Sequence, residues 1–256
     1  MTTKRKEQIS ILLKGIETGD PDSVAVVNEA KYIQHNPLTL EGSEGLAELF
    51  ARLSKTNPRV NIVRVFADGD YVFAHTEYNF TRASIGFEVF RFEDGFAVEH
   101  WDNIQQRFGP NPSGHSMVDG VIEPVDIDKT ESNRTLVKEF VNNILIEGNL
   151  AELGHYIDDK NFIEHNPRNS DGLAALRSML TDAMPSKLKY NTVHQVLAEG
   201  NFVLCICEGY LDGVHTSLFD LFRVVDNKVV EHWDTVDAIA PRAEWKNQNG
   251  KFGFPK

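Results

Sequence analysis

The sequence predicts an α+β fold in two tandem copies, each a curved antiparallel sheet packed on about three helices, related by a pseudo-twofold. Three observations carry this. Val98-Glu99-His100-Trp101-Asp102 recurs as Val230-Glu231-His232-Trp233-Asp234. Tyr32-Ile33-Gln34-His35-Asn36-Pro37 returns as Phe162-Ile163-Glu164-His165-Asn166-Pro167. In both copies helical periodicity comes first and strand alternation follows. The offsets, 165 − 35 = 130 and 232 − 100 = 132, hold the halves in register. A repeat of that length exceeds any solenoid period and marks a duplicated domain. The expected boundaries are 1–107 for the first copy, 108–129 for a linker, and 130–256 for the second copy with a C-terminal tail.

The first copy opens on Ile9, Leu12, Leu13 and Ile16, one helical stripe, with Gly19 near its end. Asp20-Pro21-Asp22 reads as the cap and first turn of a short helix. Pro37 keeps Asn36 out of helical space, so Tyr32 to Pro37 reads as extended. Gly42 and Gly45 suggest a turn, and Leu46, Leu49, Phe50 and Leu53 a third helix. Val60 to Phe66, Tyr71 to Phe80, Phe87 to Phe92 and Phe96 to Ile104 read as strands, the last two joined by a tight turn at Asp94-Gly95. The second copy repeats the order, with helical stripes at Leu136 to Ile144 and Leu173 to Leu180 and four strands from Leu188 to Val236. Residues 107–129 are rich in Gly, Pro, Ser and Asp and read as the linker. The tail from Arg242 reads as an arm on the other copy or as a frayed end.

A formal charge of −12 argues against nucleic acid, whose phosphates would find nothing to neutralise them, and against an anionic membrane surface. No apolar run approaches membrane-spanning length. The two cysteines, Cys205 and Cys207, fall on one face of one strand, a poor geometry for bridging. A reduced, cytoplasmic setting is expected.

Strand parity selects the candidate site, because side chains alternate across a strand. His100 and Asp102 share one face of the last strand, and Trp101 the other; His232, Asp234 and Trp233 repeat this. Glu88 with Phe90, and Asp220 with Phe222, share faces of the preceding strands. His75 with Glu77, and Glu208 in the second copy, are added from the strands before. Tyr32, Phe162, His35 and His165 complete the set. Such a mixture of apolar and titratable groups suits a partly apolar ligand pocket with shifted pKa values. Plainer readings stand beside it. His100 and His232 would also serve as hydrogen-bonded core residues, His35 and His165 as turn residues, and Glu77 and Glu208 as solvated strand positions. A two-histidine, one-carboxylate metal set of His35, His100 and Asp102 is the competing chemistry. No helical metal-ligand spacing supports it, and no metal is expected. Trp101 and Trp233 are assigned to the opposite sheet face, expected to be buried against another sheet near the interface between the copies.

On these motifs, with Gly42-Ser43-Glu44-Gly45 and Glu88-Val89-Phe90-Arg91-Phe92, the sequence resembles SnoaL-like proteins, relatives of polyketide cyclases within the nuclear transport factor 2-like fold. The resemblance implies two cone-shaped α+β barrels, paired as an intrachain pseudo-dimer that can oligomerise further. It implies a general acid–base aspartate at Asp102 and Asp234. Where the cyclases carry a second catalytic histidine, this sequence has Glu88 and Asp220, so the partner role passes to His100/His232 or His35/His165. The expected function is a cofactor-independent acid–base enzyme on a small apolar carbonyl compound, by aldol cyclisation, isomerisation or dehydration. The alternative is a small-molecule binding protein using the same pocket. Tyr32 against Phe162 and His75 against Ile206 lead to the expectation that the first pocket is richer in titratable groups and the second drier.

Overall fold

The computed structural model describes residues 2–182 and 188–255. The chain forms two compact units, Met1–Arg107 with Ile239–Lys256, and Phe108–Ala238. In the first, helix α1 (Thr2–Thr18) buries Ile9, Leu12, Leu13 and Ile16, the stripe that the spacing predicts. Asp20 accepts a hydrogen bond from the Asp22 amide and starts a short 3₁₀ turn, Pro21–Val26. Strand β1 (Ile33–Gln34) leads to α2 (Gly42–Leu53), so Gly42 opens that helix instead of making an isolated turn. The side chains of Ser43 and Glu44 lie outside the described residues. A meander follows: β2 (Arg59–Asp68), β3 (Tyr71–Asn79), β4 (Ala83–Glu93) and β5 (Phe96–Gln106).

The second unit repeats this as α3 (Thr130–Phe140), widened into π turns over Val141–Ile146, α4 (Leu153–Tyr156), β6 (Ile163–Glu164), α5 (Leu173–Asp182), β7 (Leu188–Glu199), β8 (Phe202–Leu211), β9 (Val214–Val225) and β10 (Lys228–Ala238). The sheet orders are β1-β5-β4-β3-β2 and β6-β10-β9-β8-β7. The short first strand of each runs parallel to the last, and the other neighbours are antiparallel. Asp94-Gly95 and Asp226-Asn227 take positive φ in pairs, the twist that two-residue hairpins require. In each unit the helical stripes pack on the inner sheet face. The outer face buries Phe66, Phe73, Phe87 and Trp101 in the first unit, and Phe202, Phe219 and Trp233 in the second.

Two segments depart from the expected organisation. Residues 108–129 pack on the second sheet, with Met117 buried, instead of hanging as a linker. Residues 239–256 return to the first sheet and do not end the second copy. Each is a strap over its own sheet, and the reason is hydrogen bonding. Asn111 donates to the Glu164 carbonyl and the Trp233 indole to the Asp119 carbonyl; Asn249 donates to the Gln34 carbonyl and the Lys246 amide to the Pro37 carbonyl. Polar turn composition signals loop and says nothing of where loop polar groups find partners.

Candidate functional site

The cross-strand register sets the site. Glu88 lies opposite Asp102, and Phe90 opposite His100, so all four share the inner face of the first sheet. Asp220 opposite Asp234 and Phe222 opposite His232 repeat this. His100 Nε2 lies 2.7 Å from Glu88 Oε2, and its ring stacks on Phe90. The Tyr78 hydroxyl donates to Glu88 Oε1 at 2.8 Å. His100 Nδ1 faces Gln34 Oε1 at 3.2 Å. Asn36 donates to Asp102 Oδ2 at 2.8 Å, and the ammonium of Lys251 stands 3.5 Å from Asp102 Oδ1. Tyr32 is buried nearby. Burial, then the charges of Glu88 and Asp102, push its phenol well above the usual range.

The second unit keeps the frame and changes the charges. His232 lies between two carboxylates: Nε2 is 3.1 Å from Asp220 Oδ1, and Nδ1 is 3.0 Å from Glu164 Oε1. The Tyr190 hydroxyl donates to Asp220 at 2.9 Å, and Asn166 to Asp234 Oδ2 at 2.7 Å. Burial alone would push the His232 imidazolium down. The Glu164 charge and the hydrogen bonds to Asp220 and Glu164 outweigh it and hold the ring well above the ordinary histidine range. Burial raises the Asp234 carboxyl to about 7; the His232 charge opposes this, and Glu164 and Asp220 add to it. Asp220 Oδ2 and Asp234 Oδ1 are buried and accept no hydrogen bond from the described residues. Phe222 stacks on His232, and Phe162 closes the apolar side.

The acid–hydroxyl contact is reached by two routes. Tyr78 comes from β3 and Tyr190 from β7; Tyr190 lies opposite Gly209, as Val60 lies opposite Tyr78. A Cβ on Gly86 would sit 2.5 Å from the Tyr78 ring, so that glycine makes the room. In the second copy Leu218 stands at the position of Gly86.

Four groups of expected site residues lie elsewhere. His35 and His165 occupy the outer face: Nε2 of each meets Glu99 at 2.9 Å or Glu231 at 3.0 Å. Their rings stack on Trp101 and Trp233 at 4.6 Å, and Arg91 and Arg223 hold the far carboxylate oxygens. Their position next to Asn-Pro in sequence does not carry them inward, because β1 and β6 alternate like any strand. His35, His100 and Asp102 therefore do not converge, and that metal set is not formed. His75 lies opposite Phe87 on the outer face, where it meets Arg64 at 2.6 Å. Glu77 pairs with Arg107, and Glu208 with His194 and His215, also away from the pocket. Their strands pair one residue out from the register that would turn them inward: Ala74, Thr76, Cys205 and Cys207 take those places. Burial pushes both thiols well above their usual range.

Conversely, sequence reading missed Gln34, Glu164, Asn36, Asn166, Tyr78, Tyr190 and Lys251. Asn36 and Asn166 had a signal, since His-Asn-Pro is identical in both copies. Glu164 also gives the second copy an acid beside His232 where the first has Gln34 beside His100. Among the described residues, Glu88, His100 and Asp102 are the set whose ligand atoms converge, within 4.8 Å. Tyr78, Glu88, His100 and Gln34 form a chain of hydrogen bonds, and the Lys251 ammonium stands beside Asp102. No described helix is long and apolar enough to cross a membrane.

Residues 12–100 match the family model of the SnoaL-like domain. No curated protein sequence matches the chain. Solved structures similar to it include TsrD from Streptomyces laurentii, 19% identical over 40% of this chain and 88% of that one, TM-score 0.36. An epoxide hydrolase of Mycobacterium tuberculosis, described as LEH-like, is 20% identical over 41% of this chain and 84% of that one, TM-score 0.36. A SnoaL-like polyketide cyclase from Agrobacterium tumefaciens is 15% identical over 41% of this chain and 91% of that one, TM-score 0.35.

Proposed function

Residues 12–100 are a SnoaL-like domain whose motifs and strand order the second copy repeats, and from that premise we propose a cofactor-independent general acid–base enzyme. Its substrate class is a small, largely apolar carbonyl compound, and its working site is the second pocket. The observation that carries this is Asp234. Its carboxyl is buried, held on one oxygen by Asn166, bare on the other, and raised to about 7. A base with a pKa near neutrality both takes and returns a proton at working pH. Asp234 removes the proton α to the carbonyl, and the electron pair moves to the carbonyl oxygen. The charged His232, fixed between Glu164 and Asp220, supplies the field that favours the enolate. The proton returns at another carbon in an isomerisation, or the enolate attacks a second carbonyl in an aldol closure. A cytoplasmic setting belongs to the same proposal, supported by two free, buried cysteines.

The test is α-proton exchange. A panel of small cyclic and aromatic ketones is held in D₂O with the protein, and loss of the α-proton signal is followed by NMR. Exchange with at least one ketone, abolished in Asp234→Asn and retained in Asp102→Asn, is the expected result. Equal exchange with wild type and Asp234→Asn would refute it. A site without turnover is favoured for the first copy alone, where Lys251 stands beside the equivalent aspartate.

A further inference from the structure

The two straps supply an internal comparison. The His35 ring donates from Nδ1 to the Gly250 carbonyl, and the His165 ring from Nδ1 to the Ser116 carbonyl. The next residues, Lys251 and Met117, are both buried. A lysine and a methionine thus take corresponding positions on the two straps; the ammonium of Lys251 reaches Asp102, whereas the Met117 sulfur accepts from the Phe108 amide. A lysine only 4% exposed is rare in proteins and needs a partner of opposite charge. Here the ammonium stands 3.5 Å from Asp102 Oδ1, which is itself buried and accepts no hydrogen bond from the described residues. Asn36 holds the other oxygen of Asp102 and so fixes the direction of the free one. Around the turn, Asn247 donates to the carbonyls of Asn36 and Thr39, and Phe254 stacks on Trp101 at 4.2 Å. The strap is bound along its length, and its lysine is delivered to the carboxylate that the fold would offer a ligand.

We propose that the first pocket is an ammonium-binding site filled in cis by Lys251, so that the C-terminal strap is its built-in ligand. The site selects a primary ammonium: one oriented, buried carboxylate oxygen facing the point charge at the end of an unbranched, buried alkyl chain. The pocket keeps the family frame and gives up an exchangeable substrate for a resident one. The second pocket, with Met117 at that place on its strap, keeps Asp234 bare. The inference is independent of the enzymatic reading, since a self-filled site is a property of the folded chain.

The test is chemical rescue in the full-length protein. Lys251→Ala leaves the carboxylate facing a cavity of propylammonium shape. Its melting temperature should fall below wild type and recover by several degrees as ethyl- or propylammonium chloride is added. Propanol, and tetramethylammonium at the same ionic strength, should do nothing. Wild type, already filled, should not respond, nor should Lys251→Ala combined with Asp102→Asn. No recovery in Lys251→Ala, or equal recovery in wild type, overturns the proposal. Should Lys251→Ala fail to fold, the second measurement is amide hydrogen exchange over residues 245–254. Asp102→Asn should speed it at least tenfold, and Asp234→Asn should leave it unchanged. Unchanged exchange in Asp102→Asn overturns the proposal by itself.

Discussion

Removing the charge at Asp234 should make the protein more resistant to alkali. A carboxyl raised from 3.8 to about 7 holds its proton more tightly folded than unfolded. Its contribution therefore favours the native state at low pH and fades as pH rises through the folded value. Most of the effect between pH 5 and pH 8.5 falls in the two units below 7, so wild type should lose about 3 kcal/mol from this group across that span, at roughly 1.4 kcal/mol per unit. Asparagine does not titrate. It can still accept the Asn166 hydrogen bond, and its amide occupies the place of the protonated oxygen. At pH 5 the variant should already be the more stable by about 1.5 kcal/mol, because the unfolded wild-type carboxyl is ionised there while the folded one is neutral. At pH 8.5 the advantage should reach about 4 kcal/mol. His232 titrates in both proteins and in the same direction, its stabilisation also fading as pH rises through its raised value. The difference between the two proteins thus isolates the aspartate. Urea melts at the two pH values measure it, with equal slopes required for the comparison. A stability difference that does not change between pH 5 and pH 8.5 would refute the reasoning and make Asp234 an ordinary hydrogen-bonding residue.

The same substitution in the first copy should act with opposite sign. Asp102→Asn strands the Lys251 ammonium and should cost about 3 kcal/mol in urea melts. Tyr78→Phe and Tyr190→Phe should each cost about 1–2 kcal/mol, since a buried carboxylate loses a donor, and calorimetry should show both. Glu231→Gln leaves part-buried Arg223 and buried His165 facing a neutral amide, and should cost about 3 kcal/mol in the same assay. Cys205 and Cys207 should react with a thiol reagent no faster than the chain unfolds, because both are buried and their thiolates are disfavoured.

Much of the fold was legible because the duplication let each element be read twice. The stripe from Ile9 to Ile16, the turns at Asp94-Gly95 and Asp226-Asn227, and the facing of His100 and Asp102 away from Trp101 all follow from local rules. What was not legible depends on pairing. Parity says that His75 and Glu77 share a face but not which one, and a shift of one residue decides it. His35 was drawn toward the pocket by its neighbours in sequence, yet its ring belongs to Glu99 and Trp101 on the outer face. Lys251 was out of reach of any local rule, because 149 residues (251 − 102) separate it from the carboxylate it meets.

The two copies test which features the pocket needs, since each has been free to change against the other. The tyrosine is the clearest case. Moving its hydroxyl from β3 to β7 required three positions to change together: Val60 to Tyr190, Tyr78 to Gly209, and Gly86 to Leu218. A tyrosine kept only for packing would not need its hydroxyl at the same carboxylate afterwards, but both still reach the acid facing the histidine. The asparagine on the last-strand aspartate is kept outright. Net charge is what was allowed to drift. Gln34 became Glu164 on one side of the histidine, and a lysine became a methionine on the strap. Both differences leave the second copy the more negative; burial is the first cause of the raised Asp234 carboxyl, and the Glu164 charge adds to it. The hydrogen-bond frame is therefore the common inheritance, and the charge set around it is where the two pockets part.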